Sequence, residues 1–316
     1  MATHRTLSQP ETTSLPAATT GSRSMREGRR RFGRLMTIPT LVALAIVVAF
    51  PLGFALWVSV HFYDLTKGGI GPFIGLTNYA ETIAGNLFAI AARNTAVYSV
   101  SVVVLELLIA LGLSLLLNLP GLRFRGVYLA ILLIPLLVSP VAVGLIWRLL
   151  LHPDVGAVNW LLTTLHLPPQ EWMSRPNTAM ATIVGVDVWH ETSLMIVIIL
   201  AGLTSLPRDP IEASMVDGAN RWQTFRSVTL PLLMPVLLVA TLIRFIAAMK
   251  TYDLVYILTR GGPGSATETI SFSIWKAAFT TLEMGRAAAA SFLLLIIILV
   301  LVILLVRLMG DEEAEA

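Results

Sequence analysis

The chain has 316 residues, of which 56% are hydrophobic and only 13% charged, with a mean hydropathy of +0.79 and a net charge of +3. Soluble domains carry about a quarter charged residues, so this surface is too poor in charge to face water all round, and lipid must solvate much of it. Cysteine is absent, which excludes disulfides, thiolate nucleophiles and Cys-ligated metal centres.

Residues 1–34 begin as a Thr, Ser, Pro and Ala-rich stretch without apolar periodicity and end in a basic cluster, Arg26, Arg29, Arg30, Arg31 and Arg34. They are expected to form a disordered basic tail on the cytoplasmic side. No apolar run begins before Leu35, so a signal peptide is not expected. Six apolar runs follow, each long enough for the ~20 residues of a spanning helix: Leu35–Val60, Ala91–Asn118, Val127–Leu151, Thr178–Ala201, Val228–Ala248 and Ala287–Leu308. Pro51, Pro135, Pro140 and Pro235 lie inside them, and prolines are tolerated in membrane helices whose neighbours satisfy the freed carbonyls. The expected architecture is all-α and polytopic: a six-helix membrane domain over 35–308, with a polar loop at 202–227 and a solvated acidic tail at 309–316. Long continuous runs are not the short alternating segments of a barrel.

Arginines set the orientation. They precede the first helix and fill the second connection (Arg123, Arg125) and the fourth (Arg208, Arg221, Arg226), while the first and third hold only Lys67 and Arg175. The longer fifth dissents, with Arg260, Lys276 and Arg286. Both termini and the 202–227 loop are therefore expected in the cytoplasm of a bacterium, the chain spanning its plasma membrane many times.

That loop is a polar island. Pro207 and Pro210 break the chain after the fourth run, Asp209 or Pro210 can open a helix, and Ile211, Met215, Ala219 and Trp222 recur at helical spacing. Periodicity alone describes an amphipathic helix lying on the membrane surface. The residues are more specific: Glu212-Ala213-Ser214, three residues, Gly218, nine residues, then Val228-Thr229-Leu230-Pro231. This resembles the cytoplasmic loop signature of permease subunits in binding-protein-dependent ABC importers, with Ser214 and Val228 as its two departures. Asp217-Gly218-Ala219, Gln223 and the later Leu258-Thr259-Arg260-Gly261-Gly262-Pro263-Gly264 with Thr267 look like the carbohydrate branch of that family.

The resemblance implies a type I importer permease fold in which the loop forms a coupling helix docked on a separate ATPase. Glu212 would be the charged contact, Ala213 and Ser214 would allow close fit, and Gly218 would make the turn, with Asp217, Leu230 and Pro231 completing the signature. It also implies a second permease subunit, generally of different sequence, two nucleotide-binding ATPase subunits and an extracytoplasmic substrate-binding protein. ATP and Mg would then belong to the ATPase, this chain carrying no cofactor. None of Lys67, Lys250 and Lys276 follows a glycine, so the Gly-Lys-Ser/Thr of a phosphate-cradling loop is missing here. The arginine bias and overall sequence look like permeases that import a disaccharide such as trehalose.

Ionisable groups at membrane depth are functional candidates by default. The fourth run holds Asp187, Trp189, His190 and Glu191, and the end of the fifth holds Lys250, Thr251, Tyr252 and Asp253. In the carbohydrate branch these two regions line the sugar pathway, and aromatics beside polar groups suit sugar rings. The bland alternatives are snorkelling for Lys250 and Asp253 and subunit pairing for Asp187. Glu106 and Arg244 read as structural pairing partners or as subunit contacts. A metal site at His190–Glu191 lacks a second histidine at ligand spacing. A self-contained ion-coupled transporter using Asp187, His190 and Glu191 is the competing function, though the halves show no internal repeat. A membrane hydrolase lacks its motifs, and nothing suggests a nucleic-acid partner.

Overall fold

The computed structural model describes the backbone of residues 36–314, with side chains to Arg307. The expected tail at 1–34 lies outside the described residues. Helix α1, Met36–Ser59, is apolar on every side, and its exposed Leu41, Val47 and Phe50 suit a lipid solvent. The remaining elements, from Leu56 on, form one compact unit. It opens with a short antiparallel hairpin, β1 His61–Asp64 and β2 Gly69–Phe73. Asp64 closes the hairpin turn by accepting from Thr66 N at 2.8 Å and Thr66 Oγ1 at 2.6 Å, which holds its carboxyl below the usual range.

Next come α2 Thr77–Ala84, the long α3 Asn86–Leu117, α4 Arg125–Leu133, α5 Pro140–Leu150, α6 Ala157–Thr164 and α7 Pro176–Ser205. They are followed by α8 Arg208–Val216, α9 Arg221–Met249, α10 Asp253–Leu258, α11 Ile270–Phe279 and α12 Met284–Ala314. Among the described residues, five helices are long and apolar enough to cross a membrane: α1, α3, α7, α9 and α12.

The expected third span, Val127–Leu151, is not one helix. It is α4 and α5 joined by a tight turn at Pro135–Leu137 and an extended Val138–Ser139. Pro135 removes an amide donor, Pro140 forces Ser139 out of the helical region, and the Ser139 side chain then caps α5. The carbonyls released at this break are answered from α7. Ser193 Oγ donates to Leu132 O at 2.7 Å, and His190 Nε2 lies 2.9 Å from Val138 O.

The fifth span also departs from expectation. The helix starts at Arg221 rather than at Val228, and Pro231 sits within it. A widened π turn at Phe225–Thr229, closed by Leu230 N to Phe225 O, makes room for the proline ring. At the other end of the chain, the backbone helix of α12 continues through the acidic residues to Ala314.

Helices α3, α7 and α9 make the centre. One apolar cluster joins Ala110, Leu117, Ile196, Leu203, Leu233 and Leu237 toward the α8 end. A second gathers Tyr98, Val102, Ile183, Ala248, Leu254 and Phe272 toward the α10 end. Gly202 lets α7 and α9 approach closely, since a Cβ there would meet Val236 Cγ1 at 2.7 Å and Leu233 Cδ1 at 3.1 Å. Gly202→Val is expected to cost about 1–3 kcal/mol of packing energy. A lowered thermal transition of the detergent-purified subunit is the readout, and an unchanged transition would contradict the close approach.

Candidate functional site

The Glu212–Pro231 segment folds as a hook. Pro207 stands extended ahead of α8, and Asp209 lies in the first turn where a carboxylate complements the helix dipole. Helix α8 ends in a left-handed glycine: Gly218 has φ +84, its amide donates to Met215 O at 3.1 Å, and Ala219 N reaches Ser214 O at 3.0 Å. Asn220 then starts α9 with a capping box, its Oδ1 accepting from Gln223 N at 3.0 Å while its own amide donates to Gln223 Oε1 at 2.8 Å. Ser214 Oγ and Thr224 Oγ1, 3.1 Å apart, tie the two arms together. The box is written in the sequence as Asn-x-x-Gln and was the signal for the early start of α9.

Glu212, Ala213, Asp217, Gly218 and Pro231 are exposed on this hook, and Ser214 and Leu230 half-buried. A side chain at Gly218 would meet open space, so the constraint there is conformational rather than steric. Beside them Met215, Val216 and Trp222 are exposed at 57, 87 and 66%. The hook is therefore a rigid projection with two exposed carboxylates, Glu212 and Asp217, beside bare apolar side chains, the composition of a protein contact.

At the opposite end of α9 the helix unwinds over Lys250–Tyr252 before α10 begins at Asp253. Lys250 is exposed, Thr251 Oγ1 donates back to Ala247 O at 3.2 Å, and Tyr252 is 38% exposed. The Asp253 charge next to Tyr252 pushes its phenol up. Helix α10 lies on α5 where Gly144 faces Ile257 and Arg148 Nη1 donates to Ile257 O at 3.1 Å.

The other expected pathway residues are placed differently. Asp187 is buried and ion-paired with Arg244, which also grips Glu106 with Nε at 2.6 Å and Nη2 at 3.0 Å. His190 is buried between Val138 O and Glu191, whose Oε1 lies 3.0 Å from Nδ1. The Tyr98 hydroxyl, fully buried on α3, faces the charges of Asp187 and Arg244. Nothing in the sequence set Tyr98 apart from its apolar neighbours. Among the described residues no group of three His, Asp or Glu side chains stands ready for a metal.

The Arg260–Glu268 loop follows α10 and is built firmly. Thr259 Oγ1 and Thr267 Oγ1 are 2.7 Å apart, and Thr267 Oγ1 donates to Gly262 O at 2.8 Å. Gly261, at φ +81, could bear no Cβ, which would lie 2.6 Å from Glu268 Oε2. Asn94 on α3 reaches up to hold the carbonyls of Ser265 and Glu268 at 2.9 and 3.0 Å.

Comparison with known proteins agrees with this arrangement. The model of the family "Binding-protein-dependent transport system inner membrane component" matches residues 107–311. A probable ABC transporter permease protein, y4oQ, of Sinorhizobium fredii is 38% identical over 267 residues, 83% of this chain and 86% of that protein. The trehalose/maltose transport system permease protein MalF of Thermococcus litoralis is 39% identical over 241 residues, 76% of this chain and 81% of that one. The fold is shared with a chain in the crystal structure of a bacterial alginate ABC transporter in complex with alginate pentasaccharide-bound periplasmic protein. The TM-score is 0.75 at 22% identity, covering 88% of this chain and 93% of that chain. The hook, the membrane helices behind it and these matches together make the chain a member of the family of binding-protein-dependent ABC transport system inner membrane components, a permease subunit rather than a complete transporter.

Proposed function

We propose that this permease subunit imports a small carbohydrate, and that ATP hydrolysis in a separate subunit drives it through the Glu212–Pro231 hook. The observation that carries the reading is the continuity of α9, which runs from the exposed hook at Arg221 to the unwound Lys250–Tyr252 without interruption. A push at one end thus reaches polar side chains at the other. On this reading the hook and both termini face the cytoplasm, and the partners are a second permease of different sequence, two ATPase subunits holding ATP and Mg, and an external binding protein. Lys250, Thr251, Tyr252 and Asp253 line the sugar pathway, with His190 and Glu191 beside it, while Asp187 acts through Arg244. The relative named for trehalose and maltose supports a disaccharide, and trehalose is the first candidate.

Reconstitution of the chain with its partner subunits in proteoliposomes tests this. Trehalose-loaded binding protein should raise ATP hydrolysis and drive uptake; maltose is the comparison sugar. Uptake that needs only a proton or sodium gradient would instead establish an ion-coupled carrier. Within the same assay, Tyr252→Ala is expected to slow uptake about 10- to 100-fold if it stacks on the sugar, a loss of about 1–3 kcal/mol, and Thr251→Val to change the preference among sugars. Assembly should be unaffected in both, and wild-type kinetics for every sugar would remove these residues from the pathway.

A further inference from the structure

A buried ion cluster lies at the centre of the bundle. Glu106 at 0%, Arg244 at 2% and Asp187 at 3% exposure come from three helices, α3, α9 and α7. They sit between the two apolar clusters of the bundle, with Val103 and Ala110 flanking Glu106 along α3, and Ala240 and Ala248 flanking Arg244 along α9. The apolar contacts on either side are non-directional, and they single out no one angle between the helices. The Arg244 guanidinium is different. It binds Glu106 through two nitrogens and Asp187 through one of the same pair, a fork whose geometry fixes its position relative to both other helices.

We propose that the Glu106–Arg244–Asp187 cluster is the fulcrum of α9, the fixed point about which the helix tilts when the hook moves. Resting on the coupling role of the hook proposed above, this turns a helix into a lever with measurable arms. Thirteen residues separate Pro231 from Arg244, about 20 Å along the axis, and six separate Arg244 from Lys250, about 9 Å. A sideways displacement at Pro231 therefore arrives at Lys250 reversed in direction and reduced to about half. Without the fulcrum α9 slides against α3 and α7, and the displacement is dissipated along the apolar seams. Arg244 is thus a positioning residue, acting on the sugar pathway through the orientation of Lys250–Asp253.

The test is the number of ATP molecules hydrolysed per sugar imported, measured with the complete complex in proteoliposomes. This ratio does not change when a fraction of the complexes is simply misfolded. Replacing the whole cluster by apolar residues, Glu106→Met, Asp187→Leu and Arg244→Met, leaves no buried charge unpaired and is expected to assemble. Its ratio should rise at least about tenfold, the scale of a lost coupling energy. Asp187→Asn, which keeps the Glu106 clamp, should give an intermediate rise of about threefold. A ratio within twofold of wild type in the assembled apolar variant would overturn the fulcrum, as would failure of that variant to assemble, which makes the cluster a folding requirement. A wild-type complex that imports no sugar would overturn the proposed function instead.

Discussion

Glu212→Ala is expected to leave membrane insertion and subunit abundance unchanged while abolishing uptake. The side chain is exposed and makes no hydrogen bond within the described residues, so its removal takes nothing from the fold. Its loss is felt at the surface that the hook presents. A carboxylate held on a rigid helix and desolvated against a partner cation is worth about 2–5 kcal/mol, a 30-fold or greater loss of affinity. Gly218 offers a graded companion. With φ at +84 and open space around it, a substituent there is resisted by backbone strain of about 1–2 kcal/mol rather than by a clash. Gly218→Asn, which tolerates the left-handed conformation, should therefore retain more transport than Gly218→Val. ATP hydrolysis by the reconstituted complex, with and without loaded binding protein, gives the readout. Undiminished sugar-stimulated hydrolysis in Glu212→Ala would remove the hook from the coupling path.

The second large effect concerns folding. Arg244→Leu leaves the carboxylates of Glu106 and Asp187 buried near each other with no cation. Breaking a buried pair by removing one partner costs about 3–5 kcal/mol, and here two acids are orphaned by one change. The variant should accumulate poorly and aggregate on detergent extraction, as seen by fluorescence-detected size exclusion of a tagged subunit. Replacing the two acids as well should restore abundance. If Arg244→Leu were as abundant and monodisperse as wild type, the cluster would contribute nothing to folding.

The membrane helices were legible because long runs such as Ala91–Asn118 admit few other conformations. The hook was legible through its spacing, with Glu212, Gly218 and Pro231 each at a position that the local geometry uses. The break inside the third span was not legible, because an internal proline does not by itself stop a helix: Pro235 lies inside α9 without interrupting it. At Pro135 a second proline follows five residues later, and Ser139 between them caps a new helix, so the two halves separate. The short elements α2, α6 and α11 carry too few periodic residues to stand out. Glu106, Asp187 and Arg244 were each visible as charges within apolar runs, but their meeting depends on how three helices register, which no single run encodes. Asn94 and Tyr98 were hidden for the same reason.

The break between α4 and α5 has a consequence for inheritance. Leu132 O and Val138 O depend on Ser193 and His190, side chains more than fifty residues away in the chain. Loss of either polar group strands a carbonyl inside the bundle, whereas loss of both prolines lets the helix close and makes the hydroxyl redundant. Position 193 is therefore expected to vary in step with positions 135 and 140 across relatives: lineages that keep the prolines retain a donor, and lineages that straighten the helix are free to carry alanine.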